Sequence, residues 1–116
     1  MPDDWQIRSA MDQPERLEIA YLDRRRHLVG ASRFEAEDNR FETVPLRRIA
    51  KEALAANAVS VLLVHDHPGE GSCPDENDYQ FTRRLAHILK PLGIRIEDHL
   101  IISSNVSFSF RLAGLL

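Results

Sequence analysis

Two histidines one residue apart, His65 and His67, and an aspartate further along, Asp78, are the side chains of this sequence best suited to chemistry. The pair follows the apolar run Val59-Ser60-Val61-Leu62-Leu63-Val64, whose β-branched residues and leucines read as a buried strand. Side chains two apart on a strand point to the same side, so both imidazoles can converge on one point. A catalytic Zn²⁺ takes about three nitrogen or oxygen donors from the protein and keeps one position open. Asp78 is the expected third donor. After Pro74-Asp75, the apolar residues Phe81, Leu85, Ile88, Leu89 and Leu92 recur at helical spacing until Pro91-Leu92-Gly93. This predicts a helix with Asp75 as N-cap and Asp78 in its first turn. The helix macrodipole alone favours an acid there by about 0.3–1 kcal/mol. The aspartate together with the histidine pair, joined by a loop that can fold one onto the other, points to a metal.

The elements that must hold these residues follow from the rest of the pattern. Leu17-Glu18-Ile19-Ala20-Tyr21-Leu22 alternates and predicts a strand, Arg24-Arg25-Arg26 turns it, and His27 to Phe34 predicts an antiparallel partner. Pro45 precedes a helix with apolar positions Ile49, Ala53, Leu54 and Ala56, which leads into the strand before His65. Ile94 to Ile102 and Ser107 to Phe110 predict two further strands, with Ser103-Ser104-Asn105 as their turn. Strands and helices interleave without repeats, which implies an α/β domain with a mixed sheet. Residues 1–15 contain Pro2, Pro14 and many charges without periodicity and read as a loosely held N-terminal arm, leaving 16–116 as the domain.

Composition bounds the function. At 116 residues and 43% hydrophobic, the chain suits a single core. A net charge of −3 and a pI near 5.9 give no global attraction to nucleic acid, and Arg24-Arg25-Arg26 is accounted for by its turn. The single cysteine, Cys73, excludes an internal disulfide, and the sequence shows neither a leader pattern nor an apolar run of membrane length. A cytoplasmic protein without membrane association is expected. Cys73 reads as a loop residue, since His65, His67 and Asp78 already make three donors.

The run from His65 to Asp78 resembles the metal-binding motif of the JAMM (MPN-plus) metalloproteases, which reads His-x-His-Pro, a spacer, then Ser-x-x-Asp. Within that superfamily it is most similar to the RadC-like branch. The similarity continues through Asp78-Tyr79-Gln80-Phe81-Thr82-Arg83-Arg84-Leu85, Leu92-Gly93-Ile94 and Asp98-His99-Leu100-Ile101-Ile102, and covers roughly residues 17 to 116. The resemblance implies a single three-layer domain, a mixed β-sheet flanked by helices, related to the cytidine deaminase-like folds. It also implies a Zn²⁺ cofactor on His65, His67 and Asp78, hydrolysis of a peptide or isopeptide bond, and a peptide or protein substrate. Nucleic acid enters as a partner only through the RadC-like branch's association with DNA repair.

Two positions depart from the family pattern. Where the family has a serine that donates to the developing oxyanion, this chain has Asp75, whose ionised carboxylate can only accept. Ser72, Cys73 or a backbone N–H are the substitutes at hand. Where the family has a glutamate base on an earlier strand, the register places Ala31. Glu35 shares strand parity with Ala31 and is the replacement candidate, followed by Glu37, although Glu35-Ala36-Glu37-Asp38-Asn39-Arg40 also reads as a solvated loop. The resemblance sets Asp98 and His99 beside the metal-bearing strand, where either can hydrogen-bond a ligand imidazole and fix its tautomer. His87 falls on the helix surface. Metal-assisted hydrolysis, a metal-binding but inactive recognition or scaffold module, and a structural zinc site in a nucleic-acid-binding protein are therefore the three readings. The third needs a fourth protein ligand and a basic face.

Overall fold

The computed structural model describes residues 15–36, 44–66, 74–103 and 106–116. The first described elements form a hairpin, β1 (Glu15–Leu22) and β2 (Leu28–Ala36), which pair antiparallel. Its turn is held by Asp23, whose Oδ1 accepts from the backbone N–H groups of Arg25 (2.8 Å) and His27 (2.9 Å). That local acceptor builds the turn, and Arg26 of the arginine run pairs with Glu97 at 2.8 Å. Helix α1 (Leu46–Ala55) follows, then β3 (Ser60–Asp66), α2 (Glu76–Leu89), a 3₁₀ turn at Lys90–Leu92, β4 (Arg95–Ser103) and β5 (Val106–Ser109). The expected arm at 1–15 lies outside the described residues except for Glu15, which already belongs to β1.

The sheet order is β2-β1-β3-β4-β5, with β3 and β4 parallel and the other neighbours antiparallel. Each helix that feeds a parallel strand ends in the same way. Asn57 (φ 55°) and Gly93 (φ 76°) take the left-handed conformation. The next residues then reach back: Ala58 N–H donates to Ala53 O at 3.0 Å and Ile94 N–H to Leu89 O at 3.1 Å. These reversals satisfy the last carbonyls and turn the chain sharply into the sheet.

One core unites sheet and helices. Leu17, Ile19 and Tyr21 of β1, Val61 and Leu63 of β3, Ile49 and Ala53 of α1, and Phe81, Leu85 and Leu89 of α2 all belong to it. The helical positions recur at three to four residues, which puts them on single faces as the sequence pattern implied. At the far side of α1, Ser32 Oγ donates to Glu52 and lies 2.7 Å from the Tyr21 hydroxyl. Burial, first, and the nearby Glu52 push the Tyr21 phenol up to about 12, so it stays protonated. The α/β class and mixed sheet are as expected. Both helices pack on the sheet face that carries Leu17, Leu63 and His65, so the described residues make one sheet layer and one helical layer, and no third layer occurs among them. No helix among the described residues is long and apolar enough to cross a membrane.

Candidate metal centre

β3 delivers His65 to the inner face of the sheet because it continues the phase of Val61 and Leu63, and the imidazole is fully buried. Above it, the start of α2 is fixed by a reciprocal cap. Asp78 N–H donates to Asp75 Oδ1 and Asp75 N–H donates to Asp78 Oδ2, both at 2.9 Å. One oxygen of Asp78 is thus used by the cap, and the other, Oδ1, lies 3.1 Å from His65 Nδ1 without hydrogen-bond alignment. The Asp78 carboxyl is 1% exposed. Burial by itself would raise its pKa; the His65 contact and the Asp75 N–H outweigh burial and hold it below the ordinary carboxylate value.

The third member of the group is His99, brought in by an irregularity of β4. The β3–β4 register pairs Val61 with Ile96 but Leu62 with Asp98, so one extra residue, Glu97, is accommodated in β4. A bulge changes strand phase. Ile96 and His99, three apart, therefore both face the helices, whereas a regular strand would have turned Asp98 inward. His99 is buried, stacked on Phe110 at 4.4 Å between ring centroids and 6.0 Å from the His65 ring.

Hydrogen bonding sets the His99 tautomer. Thr82 Oγ1 donates its single proton to Asp78 O at 2.8 Å, and it also lies 2.7 Å from His99 Nδ1. Thr82 therefore accepts from His99, Nδ1 carries the proton, and Nε2 keeps its lone pair. That buried Nε2 has no hydrogen-bond partner among the described residues. Burial, then the neighbouring His65, lowers the His99 pKa to about 4, so the ring is neutral at pH 7. His65, Asp78 and His99 each offer a ligand atom, all within 4.8 Å of one another. Two imidazoles and a carboxylate with a stranded lone pair fit a divalent metal of the zinc type.

The sequence-expected residues separate accordingly. His65 and Asp78 come together; His67 lies outside the described residues, as do Ser72, Cys73 and Glu37. Asp75 is the helix cap, with its carboxylate turned to the Asp78 N–H. Glu35 is not brought to this group. It pairs with Arg16, which pairs with Asp66, and that row points to the sheet face opposite His65. Glu35 and Ala31 do share a side, as parity required, but both are exposed on that outer face; the inner face of β2 presents Ser32 and Phe34. Among the described residues, Asp98 bonds no imidazole. Its carboxylate accepts from the His99 N–H (2.7 Å), Ser109 Oγ (2.6 Å) and the Arg111 N–H (3.0 Å), tying β4 to the turn after β5. The resemblance set His99 beside the ligand-bearing strand; the bulge in β4 brings its ring into one group with His65 and Asp78. His87 is exposed.

An α/β domain that buries a convergent His-Asp-His group at the end of a central strand is the class this geometry defines. The chain belongs to the RadC-like JAB domain family, which it matches over residues 5–115. It is 37% identical over 103 residues to the UPF0758 protein YkfG of Escherichia coli K12, covering 88% of this chain and 65% of that protein. It is 39% identical over 103 residues to YeeS of the same strain, covering 88% and 69%. With the UPF0758 protein SPO0054 of Ruegeria pomeroyi it shares 36% identity over 106 residues, 90% of this chain and 46% of the relative. The chain thus spans about half to two thirds of the length of these relatives. Their names state no activity.

Proposed function

We propose that this domain is a zinc-dependent hydrolase of the JAMM type that cleaves a peptide or isopeptide bond in a protein substrate, in the cytoplasm. The observation that carries the reading is the buried group His65, Asp78 and His99, with the His99 Nε2 lone pair left without a hydrogen-bond partner. Zinc at such a site supplies a Lewis acid for the scissile carbonyl and lowers the pKa of water to about 7. His65 and Asp78 would hold it from β3 and α2. His67 is a proposed ligand on its His-x-His spacing, and His99 is a proposed ligand on its position. The single cysteine accords with a reducing compartment.

The number of donors decides between this reading and a second one. Three protein ligands leave a position open for chemistry, whereas His65, His67, Asp78 and His99 together would close a tetrahedral site. A metal-binding recognition module without turnover is favoured by one observation: the inner face of β2 presents Ser32 and Phe34, and Glu35 faces away. Zinc content and peptide hydrolysis of the wild type, His67→Ala and His99→Ala test both. The hydrolase reading expects about one zinc per chain, with zinc lost in one histidine variant and largely retained in the other. Zinc weakened by either substitution, with no hydrolysis across a broad peptide and isopeptide panel, would establish the closed module. If turnover is present, Glu35→Gln should leave it unchanged, while Glu37→Gln, if Glu37 is the base, should cost roughly 10²–10⁴-fold.

A further inference from the structure

We propose that the cleft between α2 and β4 binds an acidic peptide segment that carries an apolar side chain. The cleft has a volume of about 480 Å³, with Ala86, Ile94, Ile96 and Phe110 along its floor and cations on both banks. Arg83 and Lys90 stand on the helical bank, Arg95 and Arg111 on the other, and all four are exposed. Such a concentration of positive charge is local, because the chain as a whole carries −3. Part of it is already compensated: Arg95 lies 3.4 Å from Glu97, and the Arg111 guanidinium donates to the carbonyls of Ile96 and Glu97. Arg83 and Lys90 form no ion pair or side-chain hydrogen bond among the described residues.

The spacing selects the ligand. Arg83 and Lys90 are about two turns apart along the helix, roughly 10 Å. A peptide in the polyproline II conformation rises about 3.1 Å per residue with three residues per turn, so two carboxylates three residues apart share a side roughly 9 Å apart and match that separation while a side chain between them turns to the apolar floor. A simple fatty acid offers a single anion to the four cations. Single-stranded nucleic acid would require an open aromatic face for base stacking. Phe110 is 1% exposed and already stacked on His99, which leaves the half-buried Tyr79, tilted against Phe110 at 5.7 Å, as the one aromatic ring of the described lining open to a base, where successive bases need several. The inference rests on the cleft alone and not on the proposed hydrolysis.

Calorimetric titration of the full chain with Gly-Glu-Leu-Ser-Glu-Gly, and with the same peptide carrying lysine for glutamate, tests it. The acidic peptide should bind and the basic one should not, and raising salt from roughly 0.05 M to 0.5 M should weaken binding. The double variant Arg83→Glu, Lys90→Glu, changed only at exposed positions, should lose at least about tenfold in affinity while its unfolding midpoint is kept. Ala86→Trp should block the floor. Absence of binding by the acidic peptide, equal binding of both peptides, or wild-type affinity in the charge-reversed variant would overturn the proposal. So would an oligothymidylate that binds in place of the peptide and is lost in that variant.

Discussion

At the scale of single residues, the centre depends on a hydroxyl with one proton to give. Thr82 spends that proton on the Asp78 carbonyl and so must accept from His99 Nδ1, which leaves the buried Nε2 with its lone pair. Partners behind a metal-binding imidazole typically contribute 10–100-fold to affinity. Thr82→Val keeps the shape, removes the acceptor and should weaken zinc binding by about that factor, whereas Thr82→Ser should restore it. Competition with a chelating dye measures the constants. Unchanged affinity in the valine variant would remove His99 from the ligand set.

At the scale of elements, the beginning of α2 and the bulge in β4 set the positions of Asp78 and His99, the proposed ligands. Asp75 has a mechanical role here: with Asp78 it closes the cap that orients the Asp78 carboxylate. Asp75→Ala should therefore lower stability by about 0.5–2 kcal/mol and weaken the metal site together with it. Asp75→Ser preserves a cap and introduces a hydroxyl donor, so stability should change little. Urea unfolding and zinc titration of both variants check this. A serine variant as unstable as the alanine one would show that the carboxylate charge, rather than the cap geometry, holds the helix start.

For the whole molecule, the consequence is a pH-dependent stability. In metal-free protein, burial and then the His65 charge hold the His99 pKa near 4, below its ordinary 6.5. Between those values the unfolded chain binds a proton that the native state refuses, so stability rises with pH through this window and is lost as pH falls from 6.5 toward 4. The loss is on the order of a few kcal/mol. Asp78, with a depressed pKa, contributes stability above its ordinary 3.8 and loses it only at lower pH. Urea unfolding of chelator-treated protein at pH near 7 and near 5 should show the His99 window, and His99→Gln should flatten it. Equal slopes in wild type and variant would show that His99 is not held neutral by the fold.

Local pattern carried much of this structure into view. The alternation of Leu17 to Leu22, the helical spacing of Phe81, Leu85 and Leu89, and the Asp75–Asp78 spacing are short-range features, and the strand, helix and cap they imply are all present. His65 and Asp78 were legible as partners for the same reason: each sits at the end of an element whose phase its neighbours declare. Sheet face and strand phase are different in kind. Whether Glu35 points toward the helices depends on which face of the β1–β2 hairpin the core covers, and local parity relates Glu35 to Ala31 without saying which side is inside. His99 depends on one additional residue accommodated against β3, a pairing between distant segments that reverses the phase of everything after Ile96. Short-range pattern is enough to place side chains at element ends; which of them meet follows from pairing between distant segments, which selects the buried face and the place of the bulge.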